Sequence, residues 1–144
     1  MQKIIVPIDF SDGIEAIVNK ATQMAKAFSG TIYLVHVEPP IIDSSGRDNG
    51  DPIVEMANDY PDETSKLSTL AQTIRDAGIE THAIFIEGVP ALSILEFAQK
   101  IGADLIVMGT HGHGVVTGFF LGGVSKAVVN RSKCPVLLIP SESY

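Results

Sequence analysis

The sequence has a single cysteine, Cys134, in 144 residues. One thiol excludes an internal disulfide and fits a reducing compartment. With Pro135 beside it and no His or Asp nearby in sequence to activate it, Cys134 reads as a packed side chain rather than a nucleophile. There is no apolar run of roughly 18 residues and no basic segment leading into an apolar one at the N-terminus, so neither a membrane span nor a signal peptide is expected. A soluble, cytoplasmic protein follows as the expectation. Basic residues are scarce, with 10 Lys and Arg against 17 Asp and Glu and a net charge of −7. Duplex binding rests on Lys and Arg neutralising phosphates, which argues against nucleic acid as a partner. A nucleotide would have to be held locally, by backbone N–H groups and a cation. Repeats and low-complexity tracts are also missing, and the length suits one domain over residues 1–144 with a full core.

What the chain does have is a regular alternation. Lys3 to Ile8 is a nearly continuous, β-branched apolar run, as in a parallel strand covered on both faces. Ser11 or Asp12 can cap a helix whose apolar positions Ile14, Ile17, Val18, Ala21, Met24, Ala25 and Phe28 keep a helical period until Ser29 and Gly30. Thr31 to Val37 is a second strand. From Glu38 to Pro61 the pattern lapses into a proline-rich loop, of a length found in functional lids and disordered segments. A helix over Asp62 to Ala77 with Leu67, Leu70, Ala71 and Ile74 inward, and a strand over Thr81 to Ile86, come next. Pro90 opens a helix to Ile101 with Ile94, Leu95, Ala98 and Ile101 inward, and Gly102 closes it. Leu105 to Met108, a short helix Val124 to Arg131, and Pro135 to Ile139 complete five strands and four helices. This is the pattern of an α/β sandwich on a parallel sheet.

The densest chemical signal lies between the fourth strand and the last helix, where Gly109, Gly112, Gly114, Gly118, Gly122 and Gly123 gather. Glycine at this density serves a backbone that must take positive φ or approach something closely. A strand, a glycine loop and a helix start together offer N–H groups and a positive dipole end, which suit a phosphate. The plainer alternative is a tight loop whose glycines only let strand and helix pack. The loop lacks the Lys-Ser/Thr ending of a P-loop and sits too late for the dinucleotide fingerprint. Ligands in open parallel sheets bind beyond the carboxyl ends of the strands where their order reverses. The first strand ends in Pro7, Ile8 and Asp9 and the fourth in Met108 and Gly109, so if these strands are neighbours, Asp9 and the glycine loop face one crevice. His111 and His113 suit phosphate donors better than metal ligands, since no third ligand stands at a fixed spacing. His36 and His82, within and at the start of apolar strands, read as structural. Ser125 in GVSKA lacks the second glycine of a nucleophile elbow, and the sequence names no group of opposed pKa that would support Asp9 as a general base.

Gly109, two residues, Gly112, nine residues, Gly122 and a small residue resemble the nucleotide-binding motif of the universal stress protein family. The resemblance extends along the chain through PIDFSD from Pro7, LVHV from Leu34, EGVP from Glu87, DLIVMGTHG from Asp104 and CPVLLIP from Cys134. It implies a Rossmann-like, adenine nucleotide alpha-hydrolase-like sandwich with strand order 3-2-1-4-5. It also implies an adenine-nucleotide site of the family's ATP-binding branch. There Asp9 and Pro7 would meet the adenosine, the backbone of Val37 the adenine edge, and Gly109, Gly112, Gly122, Gly123, Val124 and Ser125 the ribose and phosphates, with no lysine; Ile8, Met108 and His113 complete the candidate binding set. Gly123 departs from the pattern, which has Ser or Thr; one hydroxyl donor is lost, while the Gly123 N–H and a nearby Ser125 hydroxyl remain.

The expected protein is therefore a stress-response regulator that binds ATP, AMP or ADP, with Mg²⁺ through the phosphates and at most slow ATP turnover. A homodimer through the last strand, Pro135 to Ile139, is expected because a bare apolar sheet edge invites association. Two other readings compete with it. One is a dimeric signalling module without nucleotide, in which Gly123 marks a decayed site; the other is an enzyme handling adenylates.

Overall fold

A computed structural model describes residues 2–10, 13–40, 61–110 and 121–140. In chain order the elements are β1 (Lys3–Pro7), α1 (Ile14–Phe28), β2 (Thr31–Glu38), α2 (Pro61–Asp76), β3 (Thr81–Glu87), α3 (Pro90–Ile101), β4 (Leu105–Gly109), α4 (Gly123–Arg131) and β5 (Val136–Ile139). All strand pairs are parallel and the order is β3-β2-β1-β4-β5. The fold class, the strand order and every helix and strand expected from the periodicity are present, with ends displaced by a residue.

The displacements have local causes. β1 closes at Pro7, yet the ladder continues for one bond, since Ile8 N–H donates to the Val35 carbonyl at 2.8 Å. β5 begins after Pro135, which has no N–H to give and serves only as an acceptor, from Ile106 N at 3.0 Å. α1 carries no side-chain cap: Gly13, at φ 94, occupies the N-cap, a conformation glycine takes without steric cost. Ser11 and Asp12, the expected caps, lie outside the described residues, as does 41–60 of the expected loop.

Alternation along the strands divides the core into two layers. Ile4, Val6, Ile8, Ile32, Leu34 and Val107 face α1 and α2, which bury Ile17, Val18, Ala21, Ala25, Leu67, Ala71 and Ile74 against them. Ile5, Val35, Ile86, Ile106 and Met108 face α3 and α4, which contribute Ile94, Phe97, Ala98 and Val128. Helix faces follow the predicted period except at the end of α1 and along α3. Phe28, the last residue of α1, is 52% exposed, because no further turn follows to close over it. Phe97 takes the buried place on α3 beside Ile94 and Ala98, with Leu95 and Ile101 only partly covered.

Candidate functional site

β1 lies between β2 and β4, so the chain's crossovers leave in opposite directions from the β1/β4 boundary. A crevice must open there beyond the carboxyl ends. A cavity of about 630 Å³ occupies it, within the size range of small-molecule sites. It is lined by Pro7, Ile8, Asp9, Val37, Met108, Gly109, Gly122, Gly123, Val124 and Ser125. Every sequence-predicted site residue among the described ones therefore reaches one cavity. Gly112 and His113, with His111, lie outside the described residues.

The floor is made by the strand ends, the wall by the start of α4. Gly122 is the N-cap of α4, and its N–H donates to the Thr110 carbonyl at 2.8 Å while its carbonyl accepts from Lys126 N at 2.9 Å. The N–H groups of Gly123, Val124 and Ser125 stand in the first turn, where a helix has no acceptor for them. Three such donors at the positive end of a helix form an anion cradle. No atom of the described residues lies within 4 Å of where a Gly123 Cβ would stand, so among them the missing hydroxyl leaves open space rather than a rearranged backbone.

Ser125 departs from expectation. Its side chain is buried and its hydroxyl donates to the Gly109 carbonyl at 2.7 Å. A hydroxyl has one hydrogen to give, so this group ties the end of β4 to α4 and can only accept from a ligand. What Ser125 offers an anion is its backbone N–H.

Several lining residues carried no motif. Phe10 follows Asp9 at φ 59, a left-handed conformation that costs a non-glycine residue roughly 1–2 kcal/mol and persists only where surroundings hold it. Lys66 and Glu63 enter from α2, so the site does contain a lysine; the Lys66 ammonium lies 5.8 Å from the Phe10 ring centroid. Their place depends on how α2 packs, which no local pattern encodes. His36 and Glu38, at the end of β2, also line the cavity. His36 is structural in the sense expected, buried with both ring nitrogens engaged, but it also lines the cavity. A titratable pair two residues apart at a strand's carboxyl end was the available signal. His82 instead sits on the surface, stacked on Tyr33 at 5.0 Å and beside Glu80. Cys134 is partly buried against the second core layer, with Sγ 3.6 Å from Ser132 Oγ.

Among the described residues, no helix is long and apolar enough to cross a membrane, and no group of three or more His, Cys, Asp or Glu could hold a metal ion.

Comparison with known proteins places this geometry in context. The profile of the universal stress protein family matches residues 1–140. A universal stress protein of Methanocaldococcus jannaschii is 33% identical over 140 residues, covering 96% of this chain and 81% of that protein. The solved structure of another protein of that organism superposes with a TM-score of 0.83 at 24% identity, covering 99% of this chain and 98% of the other. A universal stress protein of Archaeoglobus fulgidus, solved in complex with dAMP, gives a TM-score of 0.71 at 22% identity over 96% of this chain and 98% of its own. From residues 1 to 140, this chain belongs to the universal stress protein family.

Proposed function

We propose that the chain is an adenine-nucleotide-binding regulator. The observation that carries the reading is the convergence of the Asp9 turn and the first-turn N–H groups of Gly123, Val124 and Ser125 on one cavity at the β1/β4 boundary. A phosphate would sit on the start of α4, the ribose and base between Asp9, Met108 and the Val37 backbone. The A. fulgidus relative's complex with dAMP supports an adenine nucleoside monophosphate as the ligand class. We extend the reading to ATP with Mg²⁺ through its outer phosphates, at most slow turnover, and a role in a cytoplasmic stress response, with 1–144 as one domain.

A homodimer belongs to the same proposal. β5 is the edge of the sheet, its four residues are all half-buried, and Val129 on the preceding helix is 41% exposed. The nucleotide-free module remains the competing reading, favoured by Gly123.

The test is to denature purified protein, identify any nucleotide released, and titrate the emptied protein calorimetrically with AMP and with ATP plus Mg²⁺. Bound adenine nucleotide or micromolar affinity supports the site. An empty protein with no heat of binding transfers the function to the dimeric module.

A further inference from the structure

His36 is 4% exposed at the carboxyl end of β2 and lines the cavity together with Glu38. Its Nδ1 lies 2.6 Å from the Ile8 carbonyl oxygen and its Nε2 2.6 Å from Glu38 Oε1. A carbonyl can only accept, so Nδ1 carries a hydrogen and donates it. A neutral imidazole then has a bare Nε2, whose lone pair would face those of an ionised carboxylate. The contact closes only with a proton between Nε2 and Oε1.

The surroundings suit positive charge on the ring. His36 lies between Phe10 and Phe85, with centroids 4.8 and 5.3 Å away. The charged groups gathered at this corner are Asp9 on the turn after β1, Glu38 on β2, Glu87 in register with it on β3, and Glu63 and Lys66 on α2. Among the described residues, carboxylates outnumber the single ammonium. The carbonyl that His36 holds belongs to the peptide leading into Asp9, and the next residue is the left-handed Phe10. The bond therefore acts on the turn that shapes one end of the cavity.

We propose that His36 and Glu38 form a clamp closed by one shared proton, and that this clamp positions the Asp9–Phe10 turn for the ligand. It rests on the nucleotide reading only for the ligand's identity. With the proton in place the turn is held. As pH rises and the proton leaves, Nε2 and the carboxylate repel, the turn loosens, and affinity falls.

Glu38→Gln separates the clamp from its proton. A carboxamide can donate N–H to the bare Nε2, so the variant keeps the geometry without the shared proton. AMP is titrated calorimetrically into both proteins from about pH 6 to about pH 9, spanning the ordinary histidine range. The expected result is a loss of wild-type affinity relative to the variant toward the upper end of that range. Ionisation of the AMP phosphate is common to both and cancels. Superimposable profiles overturn the proposal.

A ligand-free arm uses ¹⁵N resonances. Wild type should show hydrogen on both His36 nitrogens while the clamp is closed, with Asp9 and Phe10 amide signals moving as the second is lost. Glu38→Gln should show hydrogen on Nδ1 alone and unmoved turn amides. A bare wild-type Nε2 throughout, or turn amides indifferent to its titration, overturns the clamp. Failure of AMP to bind at any pH, with the ring and turn behaving as expected, overturns the nucleotide reading and supports the clamp.

Discussion

Gly123 occupies the first position of α4, and among the described residues open space surrounds the place of its missing Cβ. Gly123→Ser should therefore fit without strain and present a hydroxyl to the phosphate. A hydrogen bond is worth about 0.5–1.5 kcal/mol net, so calorimetric titration should show AMP binding tightened by roughly two- to tenfold. No change would mean that the phosphate does not sit on this turn. Ser125 should answer differently, because its hydroxyl is spent on the Gly109 carbonyl. Ser125→Ala should lower stability by about 1 kcal/mol in urea melts, since it removes a hydrogen bond to the half-buried Gly109 carbonyl, while AMP affinity changes by less than about threefold. Asp9→Ala should weaken AMP by about ten- to a hundredfold, the range for a hydrogen bond to a charged group. The glycines and Asp9 were legible in the sequence because backbone N–H groups and a short carboxylate leave a composition signal. The engagement of the Ser125 hydroxyl was not, since it depends on β4 and α4 meeting sixteen residues apart.

Elements were legible where burial is two-sided. Ile4, Ile5 and Val6 are fully enclosed, which is why β1 reads as an unbroken apolar run and not as an alternation. Helix ends were harder, as α1 shows at both termini. It was expected to stop at Ser29 and Gly30, and the residue in the left-handed conformation is Ser29, at φ 53. Gly30 is needed for a different reason: a Cβ there would stand 3.1 Å from the Gln2 carbonyl and 3.2 Å from Ile4 Cδ1. Two opposite predictions follow for adjacent positions. Ser29→Gly should stabilise the protein by up to about 1 kcal/mol, because glycine adopts the cap conformation without steric cost. Gly30→Ala should destabilise it by about 1–3 kcal/mol through overpacking against β1. Urea denaturation midpoints at constant slope would check both, and a stabilising Gly30→Ala would show that β1 can yield at its start.

At the scale of the whole molecule, the topology brings the site together. Asp9 and Gly123 are far apart in sequence and meet because β4 inserts beside β1 on the side away from β2. That reversal could be anticipated only as a condition, and the entry of Lys66 from α2 could not be anticipated at all, because it depends on the placement of a helix in three dimensions. The same topology leaves β5 at the sheet edge with four half-buried apolar residues in succession, from Val136 to Ile139. Light scattering at micromolar concentration should give twice the chain mass. The character of the edge adds a sharper expectation. Val136, Leu137, Leu138 and Ile139 carry no charge, so their association would rest on apolar burial and strand pairing rather than on ion pairs. Charge attraction is largely screened beyond about 3 Å at 1 M salt, whereas apolar burial is not weakened by added sodium chloride. The dimer should therefore persist from about 0.1 to 1 M salt. A monomer mass throughout would remove the dimer, and dissociation on adding salt would move the interface from β5 to a charged surface elsewhere.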